Sequence, residues 1–388
     1  MGNIKVGVAV ADMSAFEAVD PAYGIGDQAA QVAAALEGTR ARGVAHAADV
    51  ELVFRTFDAV DPDQKRAVAR AFAADGVAAV LGARDFTYGA VALAERLGVP
   101  VLDVNAVPTP VHARCAPLLF TIRTAQDVLY RAFIRWAAAR GAFDGSPRIG
   151  VFSDRYTETS TNAALAELER LGHHDVVRVR SDGLGYGSDD DVDAATRFRD
   201  EGVTVLLPFV SGSSLVELLG TSSALGHRPT VVDLETGEHA TDVTASLMPP
   251  AIYDGTVALA LNRVGESAAG RALTPRTEQA LADHEAATGR RLDTSGRASS
   301  GELSNVLLTS DLVDLLLAAL GHVDGATAAD AVVAGFEAIT DRPSASGGDI
   351  TFAPGEHWGY RHGRTITWSA AAEAWQAQDE YRPLSRSG

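Results

Sequence analysis

The chain has 388 residues, a hydrophobic fraction of 46% and a formal net charge of -18, with a pI near 4.9. This length exceeds what one hydrophobic core usually spans, so we expect two lobes. The negative charge argues against a nucleic-acid partner or an anionic membrane surface, because both need concentrated positive charge. No run approaches 18 apolar residues, so the sequence predicts a protein that does not span a membrane.

Short apolar runs alternate with helix-period segments along the first 120 residues. The predicted strands are 4–10, 50–54, 77–81 and 100–104, and the predicted helices include 28–42 and 63–74. Buried parallel strands read as short runs rich in β-branched residues, so this alternation predicts a doubly wound α/β unit. In such sheets ligands bind beyond the carboxyl ends of the strands, which selects the loops that carry function.

The same organisation repeats in the second half of the chain. Predicted strands at 148–152, 175–179, 203–207 and 230–232 alternate with helices near 159–171, 191–200 and 214–226. Beyond Pro250 the pattern predicts helices at 277–288, 303–320 and 326–339, then two short strands at 349–355 and 364–368. We therefore expect lobe one to comprise 1–122 plus 252–340 and lobe two 125–249 plus 343–388, with crossings near 123, 250 and 342.

The order of these elements resembles the type I periplasmic binding proteins, in the branch of the leucine/isoleucine/valine-binding receptors of ABC transporters. The resemblance covers nearly the whole chain and rests on the order and spacing of several segments rather than on one motif. Those segments are Lys5–Val10, Leu81–Gly82, Val99–Leu102, Ile149–Asp154 and Gly347–Gly355. It implies an α/β fold of two doubly wound parallel-sheet lobes, joined by a three-segment hinge, with the ligand enclosed in the cleft between them.

The resemblance also points to loops at the strand ends. Where amino-acid-binding members place small hydroxyl residues, only Thr87 keeps a hydroxyl, and Arg84, Asp85 and Asn105 depart from that pattern. The family's Asp-x-Tyr-Gly segment corresponds to Asp154-Arg155-Tyr156-Thr157, and Glu235 takes the place of the acidic residue that meets a ligand ammonium. The predicted ligand-binding residues are Tyr23, Arg84, Asp85, Phe86, Thr87, Asn105, Asp154, Tyr156, Phe209 and Glu235.

The side-chain chemistry of these loops supports the same interpretation without the family. Arg84 offers a planar fork for a carboxylate or phosphate. An acidic residue, an amide and aromatic rings complete a site for a small zwitterion or another polar organic molecule. Tyr23, on a loop from Ala11 to Gly26 that is too long for a routine turn, is placed to cap such a site.

The sequence predicts no cofactor and no metal site. Gly183–Gly187 follows a strand and precedes a helix as in dinucleotide sites, but Asp189, Asp190 and Asp191 would oppose a phosphate there and suit the first turn of a helix. Cys115 is the single cysteine, which excludes a disulfide framework, and it is expected to be a small buried hydrophobe. His357 and His362 are predicted to be surface residues.

Three functions follow from these observations. The first is a receptor that closes on a small polar solute and delivers it to an ABC transporter permease. The second is a cytoplasmic ligand-sensing regulator, and the third is an enzyme using Asp85, Asp154 or Glu235 as acid or base. The sequence predicts an extracytoplasmic protein if an export signal was removed, and a cytoplasmic one if Met1 is the native start.

Overall fold

A computed structural model describes residues 3–12, 24–58, 61–82, 89–182, 189–235, 241–294 and 300–384. The contacts among them divide the chain into two compact units. Unit 1 takes the described residues up to Ala125 together with Leu273–Thr294 and Gly301–Arg361. Unit 2 takes Gln126–Ala272 and the described residues from His362 onwards.

Strands and helices alternate along most of the described chain. The strands are β1 Ile4–Asp12, β2 Val50–Asp58, β3 Ala79–Gly82, β4 Val101–Asp103, β5 Leu119–Thr121, β6 Ile149–Asp154, β7 Val176–Ser181, β8 Val205–Phe209, β9 Thr230–Leu234, β10 Val257–Ala260, β11 His362–Ser369, β12 Ala374–Ala377 and β13 Arg382–Pro383. The helices are α1 Gln28–Ala41, α2 Pro62–Asp75, α3 Gly89–Leu97, α4 Thr109–Cys115, α5 Gln126–Ala139, α6 Glu158–Arg170, α7 Asp189–Asp200, α8 Gly212–Ala224, α9 Asp242–Ser246, α10 Pro250–Tyr253, α11 Pro275–Thr288, α12 Ser300–His322 and α13 Ala329–Glu337.

The described strands of unit 1 form one parallel sheet in the order β2-β1-β3-β4-β5. Val6 of β1 lies opposite Leu52 of β2 on one side and Ala79 of β3 on the other. Strand β3 is buried along its whole length, as expected for a parallel sheet covered on both faces. The strand order reverses between β1 and β3, and this reversal marks the point where such sheets bind ligands.

The sheet of unit 2 repeats this order and extends it. Strands β7-β6-β8-β9-β10 are parallel neighbours, and β11 and β12 continue the sheet in antiparallel fashion. Strand β13 pairs with β11 outside that row. The strand order therefore reverses between β6 and β8, at the place that corresponds to the reversal in unit 1.

A glycine in the first strand of each unit lets a helix pack closely on the sheet. A Cβ atom on Gly7 would lie 2.9 Å from the ring of Phe72 in α2, and one on Gly150 would lie 2.8 Å from Val203 and 3.2 Å from the ring of Phe198 in α7. Phe72 and Phe198 are fully buried. In both units, therefore, a glycine in the first strand leaves room for a buried phenylalanine of a helix. The two units share this packing as well as the strand order.

The predicted lobe boundaries differ from the observed units in two segments. Residues 252–272, predicted in lobe one, belong to unit 2 because Val257 of β10 pairs with Val232 of β9. Residues 343–361, predicted in lobe two, belong to unit 1. The strand predicted at 349–355 is replaced by isolated bridges, in which Ile350 pairs with Arg342 and with Tyr360.

Helices α11, α12 and α13 return to unit 1 and complete its core. Asn305 of α12 donates to the Gln31 side chain of α1 at 2.6 Å. The Phe336 ring of α13 lies 4.8 Å from the ring of Phe120, and the Phe352 ring lies 5.3 Å from it. Residues of α11 and α12 also form a small apolar cluster with Ala345.

One described helix, Gly301–His322, is long and apolar enough to cross a membrane by length and composition. The sequence predicts a helix at 303–320 but no membrane span, because no run there approaches 18 apolar residues. In the structure 78% of the most apolar 18-residue part of this helix is buried within the protein. Its apolar composition is explained by packing in the core of unit 1.

Candidate functional site

The carboxyl end of β6 forms a tight turn at the strand reversal of unit 2. The Asp154 Oδ1 atom accepts hydrogen bonds from the backbone N–H groups of Tyr156 and Thr157, both at 2.8 Å. The Thr157 hydroxyl donates to the backbone oxygen of Phe209, at the end of β8, at 2.8 Å. Aspartate commonly stabilises turns in this way. Asp154 therefore fixes the turn that presents Tyr156 at the reversal point.

Tyr156 is accompanied by a cation that the sequence prediction passed over. The Arg155 guanidinium lies 4.8 Å from the centroid of the Tyr156 ring and donates to the Tyr156 hydroxyl at 2.7 Å. Arg155 is exposed and Tyr156 is half-buried. Arg155 occupies the variable position of the Asp-x-Tyr motif, so the motif gave no reason to select it. Together the two side chains offer a planar cation and a phenolic hydroxyl.

Glu235 follows β9 and is buried, with 1% of its surface exposed. Its Oε2 atom accepts from the backbone N–H groups of Leu261 and Asn262, both at 3.3 Å. Its own N–H donates to the backbone oxygen of Leu259 at 2.9 Å. The carboxylate thus holds the end of β10 beside the end of β9, and it places a negative charge at the carboxyl edge of unit 2.

Phe209 was predicted to contact a ligand, and the structure places its ring in the core of unit 2. Its side chain is fully buried, with its ring stacked 4.3 Å from Tyr130 and edge-on to Phe133 at 5.9 Å. Both partners lie on α5, so the ring belongs to the core of unit 2. Only the backbone oxygen of Phe209 reaches the carboxyl edge, where it accepts from Thr157.

In unit 1, Asn105 lies just past the end of β4 and is half-buried. The fully buried carboxylate of Asp103 accepts from the Val104 N–H at 2.7 Å and from the Asn105 amide at 3.4 Å. A Cβ atom on Gly82 would lie 3.0 Å from Asp103 Oδ1, so the absent side chain at the end of β3 leaves room for this carboxylate. The sequence prediction selected Asn105 and missed Asp103, which orients it.

The remaining predicted site residues lie outside the described residues. These are Tyr23, Arg84, Asp85, Phe86 and Thr87. Gly183–Gly187, considered above as a phosphate loop, lies outside them as well. Among the described residues, the structure therefore brings Asp154, Tyr156 and Glu235 to the carboxyl edge of unit 2, and it places Asn105 at the carboxyl edge of unit 1.

His357 is not a surface residue, contrary to the sequence prediction. It is 5% exposed, its ring stacks on Phe120 at 4.0 Å, and its Nε2 atom lies 2.8 Å from a carboxylate oxygen of Glu337. Cys115 is buried as predicted, and this burial raises the pKa of its thiol. Within the described ranges no three His, Cys, Asp or Glu side chains are grouped so that they could hold a metal ion.

The aspartates that follow Gly183–Gly187 occupy the first turn of α7, as predicted. One of them, Asp191, is fully buried. The pKa of its carboxyl is raised to about 7, mainly by burial. A hydrogen bond from the Ser214 hydroxyl lowers this pKa, and the negative charges of Glu217 and Asp190 raise it further.

We expect the stability of the protein to depend on pH through Asp191. The folded protein holds this proton more tightly than the unfolded chain, so the contribution of Asp191 to the free energy of unfolding should fall as the pH rises from about 4 to about 7. Asp191→Asn should remove this fall, which is at most about 1.4 kcal/mol per pH unit. Urea unfolding across this range measures it, with exposed Asp193→Asn as the control. Parallel profiles for the wild type and Asp191→Asn would contradict the expectation.

No family model matches the chain, and no curated protein matches its sequence. Solved structures do match its fold. A type 1 periplasmic binding protein from Bordetella pertussis Tohama I has a TM-score of 0.74 at 15% identity, covering 97% of this chain and 100% of that chain. A branched-chain amino acid ABC transporter structure from Thermus thermophilus with bound valine has a TM-score of 0.71 at 15% identity, covering 99% of this chain and 97% of that chain.

A third matching structure is a solute binding protein of an ABC transporter from Rhodopseudomonas palustris BisB5 in complex with 3,4-dihydroxy benzoic acid. It has a TM-score of 0.69 at 16% identity and covers 98% of each chain. Likeness at this level of identity establishes a shared fold. The predicted fold class, with doubly wound parallel sheets, is therefore confirmed.

Proposed function

We propose, for a chain whose fold is that of the type I periplasmic binding proteins, that it is a solute-binding receptor of an ABC transporter. The observation that carries the proposal is the end-to-end likeness to the Thermus thermophilus structure. The match covers 99% of this chain and 97% of that chain. In this proposal the protein acts outside the cytoplasm, and its membrane partner is the transporter permease.

The proposed solute is small and polar, and it is either amino-acid-like or carboxylate-bearing. Arg155 and Tyr156 at the strand reversal of unit 2 supply a cation and a hydroxyl, which suit a carboxylate. Glu235 is only 1% exposed, so it acts through the negative charge that it places at the same edge, which favours an ammonium group nearby without direct contact. Phe209 has no part in the proposed site because its ring is in the core.

The first step of the test is to identify what the protein binds. Mass spectrometry of the purified protein detects any co-purifying small molecule, and calorimetry then measures the affinity of a panel of amino acids and simple carboxylates. The proposal predicts that at least one of these solutes binds and is recovered chemically intact. Failure of every solute in the panel, with no co-purifying molecule, would count against a receptor for such solutes.

We expect Arg155→Gln to weaken binding of a carboxylate solute by about tenfold or more, the usual effect of losing a charged hydrogen bond. Arg199→Gln is the matched control, because Arg199 is another exposed arginine of unit 2 and lies near the end of α7. Calorimetric titration of both variants measures the difference. Equal affinities would remove Arg155 from the site.

The variant Glu235→Gln tests which class of solute binds, and it also tests whether the protein only binds its solute or converts it. The amide keeps an oxygen for the backbone N–H groups of Leu261 and Asn262, and it removes the negative charge. Amino acids should lose affinity in this variant, whereas carboxylates without an ammonium group should not. Steady conversion of a solute that disappears in Glu235→Gln or Asp154→Asn would instead favour an enzyme.

A further inference from the structure

Strand β2 lies at one edge of the unit 1 sheet, and no described strand pairs with its outer side. It spans nine residues, whereas strands usually have about five to six. Glu51 and Thr56 are exposed, and the four residues between them are half-buried. A long strand with one open edge is a template for pairing with another strand.

The backbone groups of alternate residues of β2 face this open edge. The first N–H of β1 donates to the backbone oxygen of Asp49 at 2.7 Å, so Asp49 and every second residue after it face β1. Leu52, Phe54 and Thr56 therefore direct their N–H and C=O groups outwards. The Phe54 oxygen accepts from the Arg55 guanidinium at 3.0 Å. The other five of these groups meet no partner in the ranges that the structure describes.

The order of side chains along β2 fits a second copy of the same strand in antiparallel orientation. An antiparallel pair centred on Val53 places Leu52 opposite Phe54 of the other copy, and both have outward backbone groups that can bond to each other. The same register places Glu51 opposite Arg55. This is a pair without backbone bonds between its members, in which opposed side chains approach most closely. Opposed side chains lie on the same face of a sheet, so the two charges meet.

Both charged side chains are accessible to such a partner. The Glu51 carboxylate accepts from the Asn3 amide at 3.3 Å and forms no ion pair with a described residue. The Arg55 side chain is 39% exposed and pairs with Asp75 at 2.6 Å. A guanidinium has five N–H donors, so Arg55 can keep Asp75 and also bond to a second carboxylate.

Strand β7, the corresponding edge of the unit 2 sheet, lacks this complementarity. Its charged residues are Arg178 and Arg180, which lie on one face of the strand. An antiparallel pair of two β7 strands centred on Val179 would oppose arginine to arginine, and opposed like charges are unfavourable. The charges of β7 thus guard an edge, as is common in natural sheets, whereas those of β2 match a second copy.

We propose that two copies of this chain associate through β2, so that their five-stranded unit 1 sheets continue into one another. The two-fold axis passes through Val53, and each backbone bond and each Glu51–Arg55 ion pair occurs twice. An interface built on one strand is small, so the association is weak and depends on protein concentration. It is independent of the solute proposed above, and either proposal can fail without the other.

Sedimentation equilibrium of the full chain from about 1 to 500 μM, at 0.15 M salt to screen the net charge, tests the association. The wild type should pass from the 40.5 kDa monomer to a dimer as its concentration rises. Glu51→Arg opposes like charges in both ion pairs and should weaken the dimer about tenfold or more. Glu169→Arg, at an exposed position of α6 in unit 2, changes the net charge equally and should have no effect.

A mixing experiment tests the register. Arg55→Glu also opposes like charges and should weaken the dimer as Glu51→Arg does. In an equal mixture of the two variants, both cross-strand pairs again join opposite charges. The mixture should therefore dimerise at concentrations at which each variant alone is monomeric. A mixture that associates no better than its components would contradict the register centred on Val53.

Hydrogen exchange at low and high protein concentration locates the contact. The amides of Leu52 and Phe54 should exchange more slowly as the dimer forms, whereas those of Val53 and Arg55 already face β1 and should be protected at both concentrations. The proposal is overturned by a wild type that stays monomeric at 500 μM, or by a dimer that Glu51→Arg leaves unchanged. It is also overturned by equal protection of the Leu52 and Phe54 amides at both concentrations, because another part of the same chain would then cover the edge.

Discussion

Asp311→Ala is expected to lower the free energy of unfolding by about 3 to 5 kcal/mol, as when a buried charged partner is removed. Asp311 lies in α12 with 1% of its surface exposed. Its carboxylate accepts from the hydroxyls of Ser344 and Ser346, both at 2.6 Å, and from the N–H groups of Ala345 at 2.8 Å and Ser346 at 3.0 Å. The substitution leaves all four of these bonds unmade, and buried donors without a partner are costly.

Hydrogen exchange of individual backbone amides tests this prediction more directly than unfolding does. In the wild type, the amides of Ala345 and Ser346 should be protected by the carboxylate, and in Asp311→Ala they should exchange much faster. Asp330→Ala, at an exposed aspartate in the first turn of α13, is the control and should change stability by less than about 1 kcal/mol. Unchanged protection of both amides in Asp311→Ala would show that the network is not needed.

Gly335→Ala is expected to destabilise the protein by about 3 kcal/mol, at the upper end for overpacking. Gly335 lies in α13, and a Cβ atom there would come within 2.3 Å of the backbone oxygen of Ala319 in α12. The obstacle is helix backbone, which cannot turn aside as a long side chain can. Chemical denaturation followed by circular dichroism measures the change.

Gly321→Ala is the matched control for this prediction. Gly321 also lies in α12, but a Cβ atom there meets nothing within 4 Å. Alanine in an open helical position stabilises by roughly 0.5 to 1 kcal/mol relative to glycine. The two substitutions are thus expected to act in opposite directions, and a loss of the same size in both would refute the close contact between α12 and α13.

Much of the fold follows from local patterns that the sequence displays. Strands such as β1 and β6 are apolar because helices cover both faces of a parallel sheet, and this makes them recognisable as short runs. Strand β10 was missed because Val257–Ala260 is short and follows a helical segment. Its identity as a strand depends on pairing with β9 and β11, which are distant along the chain. That pairing also decides which unit the segment joins.

The candidate site was predictable only in part, for a related reason. Asp154 and Tyr156 belong to a local motif at a strand end, and the structure places them at the carboxyl edge. Phe209 also ends a strand, but the sequence does not show which of its atoms face the edge. Asp311 carried a signal that was not used, since a carboxylate on the buried face of a leucine-rich helix requires a partner.

The return of α11, α12 and α13 to unit 1 has a consequence for biosynthesis. The part of unit 1 that ends at Ala125 leaves the ribosome well before Leu273–Arg361, which supplies the partners of Phe120. At ordinary translation rates the 236 residues that follow Ala125, up to Arg361, take roughly 10 to 50 s to synthesise. During that interval the nascent sheet exposes apolar surface, so we expect chaperone engagement and a unit 1 that folds only after translation is nearly complete.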